Sequence, residues 1–333
     1  STILAVGNNT ENEKIKREPI NPNATIEAKQ LLWYMYYISG KKVLSGVHNY
    51  LGRMSYATDS LYKITGRYPA LWGGDFGFAD STHDIDNIAY RPLLVPEIQK
   101  QYERGSLITM TYHQANPDIG EPCQFQGGVI SSLTDEQWEE LLTEGTPLYE
   151  KWRAQMDLFA EHLKKVQELK IPILFRPYHE MNGKWFWWGG RPVENGFIAL
   201  WKQLYKYYTE VHQLNNLIWV WSPDKPWHGL KEFYPGDEWV DIVGCDIYPV
   251  KDTNVVYRQE WYKELLEIAK DMPLGIGECS KIPSPELLRE QNRWTWFLGW
   301  VDLTFIANTK EELINIFNDE RVISIKPKED HKP

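Results

Sequence analysis

Positive charge is in short supply in this chain of 333 residues: 36 Lys and Arg stand against 46 Asp and Glu, for a net charge of -10. Nucleic acid is bound through basic stripes, so that partner is excluded, and an anionic membrane surface with it. Cysteine is scarce as well. Cys123, Cys245 and Cys279 show neither metal-ligand spacing nor a disulfide framework. Cys245 and Cys279 read as structural thiols, a strained bridge between them being the less favoured alternative. No run of about 18 apolar residues occurs, so no membrane-spanning helix is expected. His179-Glu180 lacks the second His of a zincin helix, since position 183 is Gly, and no His-x-His pair occurs. A Gly-x-Ser-x-Gly elbow and the phosphate-cradling glycine patterns are missing too. Chemistry here is expected to use side chains alone, with no metal and no cofactor.

What the chain has in abundance is aromatic surface: 16 Trp and 19 Tyr. Flat rings suit the CH-rich faces of sugars, and they equally suit a tryptophan-rich core; composition leaves both open. At 42 % apolar and 25 % charged residues, the rest is ordinary for a globular protein. No signal peptide is visible and the chain begins at Ser1, which implies a processed or engineered start. Residues 1–23 are polar and read as an exposed arm or tether, and residues 326–333 as a polar tail.

From residue 24 onward, eight strand-like runs alternate with helical periodicity: 43–47, 70–75, 107–113, 173–180, 217–221, 241–246, 274–278 and 294–300. Trp152, Met156, Phe159, Leu163 and Val166 make one apolar helix face, with Thr146 as N-cap, Pro147 at the first helical position, and Ile171-Pro172 as the stop. Several strands are nearly continuous apolar runs, as parallel strands covered on both faces are. The pattern predicts a single-domain α/β protein, a (β/α)8 TIM barrel over residues 24–325, with 318–325 as a closing strand or a tie across the base. The long segment 114–133 follows the third strand and so falls on the catalytic face.

A barrel demands reactive groups at the C-terminal ends of its strands. Asp75, His113, Glu180, Asp246 and Glu278 all meet that demand. Strand alternation would put Arg176, Tyr178 and Glu180 on one face, and Leu274, Ile276 and Glu278 on another. Each signal has a bland reading: a strand-end Glu caps a loop, His113 is a core histidine, and Asp246 to Pro249 is a turn. Five at matching positions favour a site. Two carboxyls at one mouth are what glycoside hydrolysis needs, one protonated and one ionised.

The stretch His179-Glu180-Met181-Asn182-Gly183 with Trp185-Phe186-Trp187-Trp188-Gly189 closely resembles the signature of glycoside hydrolase family 26, which is dominated by β-1,4-mannanases. Leu44-Ser45-Gly46, Gly74-Asp75-Phe76, the run from Tyr112 to Pro117, the run from Asp246 to Pro249, and Gly277-Glu278 extend the likeness over residues 24–325. The resemblance implies a retaining hydrolase with Glu180 as acid/base and Glu278 as nucleophile. It also implies that His113 and His179 bind substrate and position the acid, and that Tyr248 holds the nucleophile. Asp246 would be a polar contact near the cleavage point, Trp185 a leaving-side aromatic, and Trp300 the platform under the attacked sugar, with Trp294 and Trp296 competing for that role. Trp187 and Trp188 are left to packing. Substrate would be mannan, galactomannan or glucomannan, met by a monomer that is secreted, periplasmic or tethered at the cell surface. Mixed-linkage glucan or β-1,3-xylan remain alternatives, as does a barrel that binds sugar without cutting it.

Overall fold

The computed structural model describes residues 17–251 and 253–327. Positions 1–16 of the expected arm and 328–333 of the expected tail lie outside the described residues. Eight parallel strands close on themselves: β1 (Gly46–His48), β2 (Leu71–Asp75), β3 (Leu107–Thr111), β4 (Ile173–Phe175), β5 (Leu217–Trp221), β6 (Ile242–Ile247), β7 (Leu274–Cys279) and β8 (Trp294–Gly299). Neighbours in sequence are neighbours in the sheet, and β8 returns to β1 through Gly299 and Val47. The (β/α)8 barrel predicted from the alternation is therefore the observed fold.

Helix α1 (Ile26–Ile38) precedes the barrel. Around it lie α2 (Tyr56–Thr65), α3 (Leu94–Arg104), α4 (Asp135–Leu141), α5 (Pro147–Glu168), α6 (Ala199–Lys206), α7 (Gln259–Ala269) and α8 (Pro285–Glu290); α9 (Leu303–Ala307) and α10 (Lys310–Phe317) follow β8. The β5–β6 crossover departs from the pattern, with three short 3-10 turns where a helix is expected. In α5 the Thr146 hydroxyl accepts from the Tyr149 N–H, Pro147 opens the helix, and the predicted apolar face is buried. The C-terminal strand Val322–Ile325 pairs with Val43–Leu44 and, antiparallel, with Tyr68–Pro69; it ties the base and is not a ninth stave. Residues 17–23 are not wholly free of the barrel either. Asn21 is buried, and the Ile20 N–H donates to Asp241.

Alternation sorts the strands into two cores. Leu71, Leu107, Leu174, Ile218 and Ile242 turn inward at the base, where Leu31, Leu32, Met35 and Ile38 of α1 close the floor. Ile108, Phe175, Trp219 and Val243 turn outward to the helical layer. Nine of the sixteen tryptophans are fully buried, so most of the aromatic surplus is packing. All three cysteines are buried and free, and Cys245 and Cys279 both lie in the outer layer.

Two expected strand faces are not found. β4 ends at Phe175, and Tyr178 and Glu180 adopt left-handed backbone (φ 51° and 56°), so Arg176, Tyr178 and Glu180 do not share a face. Tyr178 packs outward, its hydroxyl between Trp152 and Gln114. In β7, Leu274 and Ile276 face the outer layer, while an extra residue at Gly277 shifts the register against β6 and delivers Glu278 to the mouth. A Cβ on Gly277 would stand 2.5 Å from Asp246 Oδ1 and from Ser222 Oγ. Gly277→Ala should therefore destabilise the protein by ~2 kcal/mol or more, read as a fall in urea midpoint; an unchanged midpoint would count against this packing.

Candidate active site

Above the apolar floor the barrel interior turns polar, and its centre is Arg176. The residue is 2 % exposed. One guanidinium nitrogen donates to both oxygens of Asp246 at 3.0 and 3.1 Å, and the other to Glu278 Oε2 at 2.7 Å. Ser222 Oγ donates to Asp246 Oδ1, and the Tyr248 hydroxyl to Glu278 Oε1 at 2.8 Å. Both Glu278 oxygens are thus held by donors, which favours its ionised form.

Among the described residues, no cation contacts Glu180. Its Oε1 accepts the Trp185 indole N–H at 2.9 Å, and its backbone N–H is fixed by the Ser222 carbonyl. One atom each of His179, Glu180, Asp246 and Glu278 lies within 4.8 Å of the others. Three carboxyls around one guanidinium cannot all ionise in a buried site. Burial, and next the Glu278 charge, push Glu180 up to about 8. Burial and Asp246 raise Glu278 to about 7, with Arg176 opposing. Burial holds Asp246 well above the usual carboxylate range too, with Arg176 opposing and Glu180 adding to the rise, so Glu180 and Asp246 compete for the remaining proton.

The histidines gather beside Glu278. Asp75 Oδ2 sits 2.7 Å from His113 Nδ1, and His113 Nε2 sits 3.0 Å from His179 Nε2. His179 Nε2 also lies 3.4 Å from Glu278 Oε2. Burial, with Arg176 and His113 nearby, drives His179 well below the usual imidazole range, so it is neutral. The turn at Glu180, with its left-handed backbone, redirects the chain after His179.

These groups open onto a cleft of about 530 Å³ lined by Tyr50, Phe78, Phe125, Phe186 and Trp300 and extending to Arg53 and Ile306. Trp300 stacks on His48 at 3.8 Å and 10°, with its N–H on the Tyr50 hydroxyl. Trp294 and Trp296 are buried elsewhere. The Trp187 N–H donates to the Gln114 carbonyl and that of Trp188 to the His179 carbonyl, so the two indoles root the 114–133 loop and the motif itself. Donor geometry alone would admit a cation among His179, Glu180, Asp246 and Glu278, yet Arg176 already fills the place between two of them and repels another. All eight expected site residues thus gather at one mouth. Sequence reasoning missed Arg176, Tyr50 and His48. Only the charge of Arg176 at the end of an apolar strand could have flagged it.

The glycosyl hydrolase family 26 model matches residues 20–327. The chain belongs to glycosyl hydrolase family 26. Among curated relatives, a mannan endo-1,4-β-mannosidase of Bacillus subtilis is 31 % identical, covering 85 % of this chain and 82 % of the relative. Two others, from Bacillus subtilis strain 168 and Caldalkalibacillus mannanilyticus, are 32 % and 28 % identical, and the chain spans 66 % and 62 % of their lengths. In solved structures, GH26A from Muricauda sp. superposes with a TM-score of 0.85 at 37 % identity, covering 92 % of this chain and 99 % of that one. A Podospora anserina β-(1,4)-mannanase carrying a further module gives 0.76 at 27 %, covering 92 % and 68 %.

Two outcomes test the electrostatics. Arg176→Met should cut kcat at least about 100-fold and move the acid limb of the pH profile upward, because Glu278 loses the cation that favours its ionised form. A limb that stays in place would show that Arg176 does not set the ionisation of Glu278. Glu180 binds its proton more tightly folded (about 8) than at its ordinary value of 4.5. Its contribution to stability is full below the lower value and is lost as pH rises to the upper one. Glu180→Gln should then melt above the parent at about pH 8 and close to it at about pH 4; the reverse order would contradict the raised value.

Proposed function

We propose that this protein hydrolyses β-1,4-mannosidic bonds in mannan, galactomannan or glucomannan by double displacement with retention. The supporting observation is the pair of carboxyls: one oxygen of Glu180 lies within 4.8 Å of one of Glu278, close together as in retaining enzymes and short of the span that admits an attacking water. Glu278, ionised and oriented by Arg176 and Tyr248, attacks the anomeric carbon. Glu180 gives its proton to the departing glycosidic oxygen. Once Glu278 is an uncharged ester its repulsion of Glu180 vanishes, so Glu180 is now a base that draws a proton from water as that water frees the sugar. His113 and His179, hydrogen-bonding groups beside Glu278, meet the hydroxyls of the attacked sugar. Trp300 lies beneath that sugar, Trp185 beside the leaving one, and Asp246 near the cleavage point.

The choice of mannan draws on the curated relatives, whose names specify that polymer. A mannan chain is too large to enter a cell intact, which supports action outside the cytoplasm, in the periplasm or at the cell surface. Mannose carries its 2-hydroxyl axial, and a hydrolysis panel of mannan, galactomannan, glucomannan, lichenan and β-1,3-xylan separates the readings. Release of reducing ends from the mannans is expected; activity confined to another glycan, or binding without new ends, would replace this proposal. NMR of the first product should show retained β-configuration, and inversion would refute the mechanism. Glu278→Ala should lower kcat by at least about 10,000-fold with melting behaviour near the parent's, and substantial turnover in it would rule out Glu278 as nucleophile.

A further inference from the structure

A chain with sixteen tryptophans hides or half-hides fifteen of them; Trp227 is 53 % exposed. It stands in the 3-10 turn Pro226–His228 of the helix-less β5–β6 crossover, on the catalytic face. An exposed indole on a loose loop would be unremarkable, but this one is fixed. Its N–H donates to Asp224 Oδ2 at 3.0 Å, and the Lys225 ammonium lies 3.3 Å from Asp224 Oδ1 and 4.9 Å from the indole centre. Asp224 and Lys225 are both buried, so a desolvated ion pair braces the ring.

The loop is fastened to the acid's own turn. The Asn182 amide donates to the carbonyls of Asp224, Lys225 and Gly229 at 2.9, 3.3 and 3.2 Å, and its oxygen accepts the Asp224 N–H at 2.8 Å. Asn182 follows Glu180 by two residues, and Glu180 N–H is itself held by Ser222. Acid and indole therefore share one frame.

Barrel order decides which side that frame serves. Trp300 follows β8 and Tyr50 follows β1, whereas Trp185 follows β4 and Trp227 follows β5. In an eight-stave barrel these pairs stand across the mouth from each other. The lobe of the cleft bounded by Trp300, Tyr50, Arg53 and Ile306 contains neither Trp185 nor Trp227. Trp185, bonded to Glu180 itself, takes the position next to the cleaved bond.

We propose that Trp227 is a stacking platform for a sugar on the leaving-group side, one beyond the sugar adjoining the cleaved bond. The ring face meets the CH face of a pyranose, and the Asp224–Lys225 pair keeps the indole in place before substrate arrives. This assignment rests on the mannan reading above and deepens it: it makes Trp227 a determinant of which bond in a chain is cut.

Kinetics and product mapping on linear manno-oligosaccharides of five and six units test it. Trp227→Ala should raise KM about tenfold, with kcat within about twofold, and should move cleavage toward the reducing end, where fewer sugars sit on the leaving side. Trp227→Phe should restore most of the loss, which a hole in the fold would not predict. Unchanged KM and bond distribution in Trp227→Ala, with active wild type, would overturn this inference alone. Wild type inactive on every mannan would overturn the functional reading and this inference with it.

Discussion

One guanidinium in the barrel interior governs everything above it. Arg176 is bound to Asp246 and Glu278 at once, in a space that Gly277 and the small Ser222 leave open. A buried arginine of this kind is tolerable only when its charge is matched, and a buried carboxyl pair only when a cation is shared. Each solves the other's desolvation. The third carboxyl, Glu180, is left outside the pairing, and burial beside Glu278 raises its affinity for a proton.

The aromatic content serves this polar centre in two ways. Buried indoles such as Trp187 and Trp188 use their N–H groups to fasten loop carbonyls, which fixes the backbone around His179 and Glu180. Indoles at the mouth, Trp300 and Trp185, present faces and edges to the cleft while their N–H groups are tied to Tyr50 and Glu180. Rigid rings lose little entropy when a ligand arrives, so binding energy goes to the substrate and not to ordering the site. The left-handed backbone at Glu180 costs of order 1–2 kcal/mol, a strain of the kind held at functional positions by surrounding bonds.

Much of this was legible in the chain. Nearly continuous apolar runs alternating with helical faces specify a parallel sheet with covers, and the strand-end rule places Asp75, His113, Glu180, Asp246 and Glu278 at one rim. The α5 boundaries were readable because a capping threonine and an N1 proline act locally. What failed was alternation at the very ends of β4 and β7. There a left-handed turn and a bulge, both stabilised by bonds to distant residues, override the local period.

By itself, then, the sequence determined the barrel, its orientation, and which carboxyls meet, because these depend on periodicity and order along the chain. Only the tertiary structure decided how the proton is shared, that Arg176 is the cation between Asp246 and Glu278, that His179 turns to Glu278, and that Trp227 alone of the indoles faces solvent. Those outcomes arise between residues far apart in the chain, whose separation in space sets each electrostatic term.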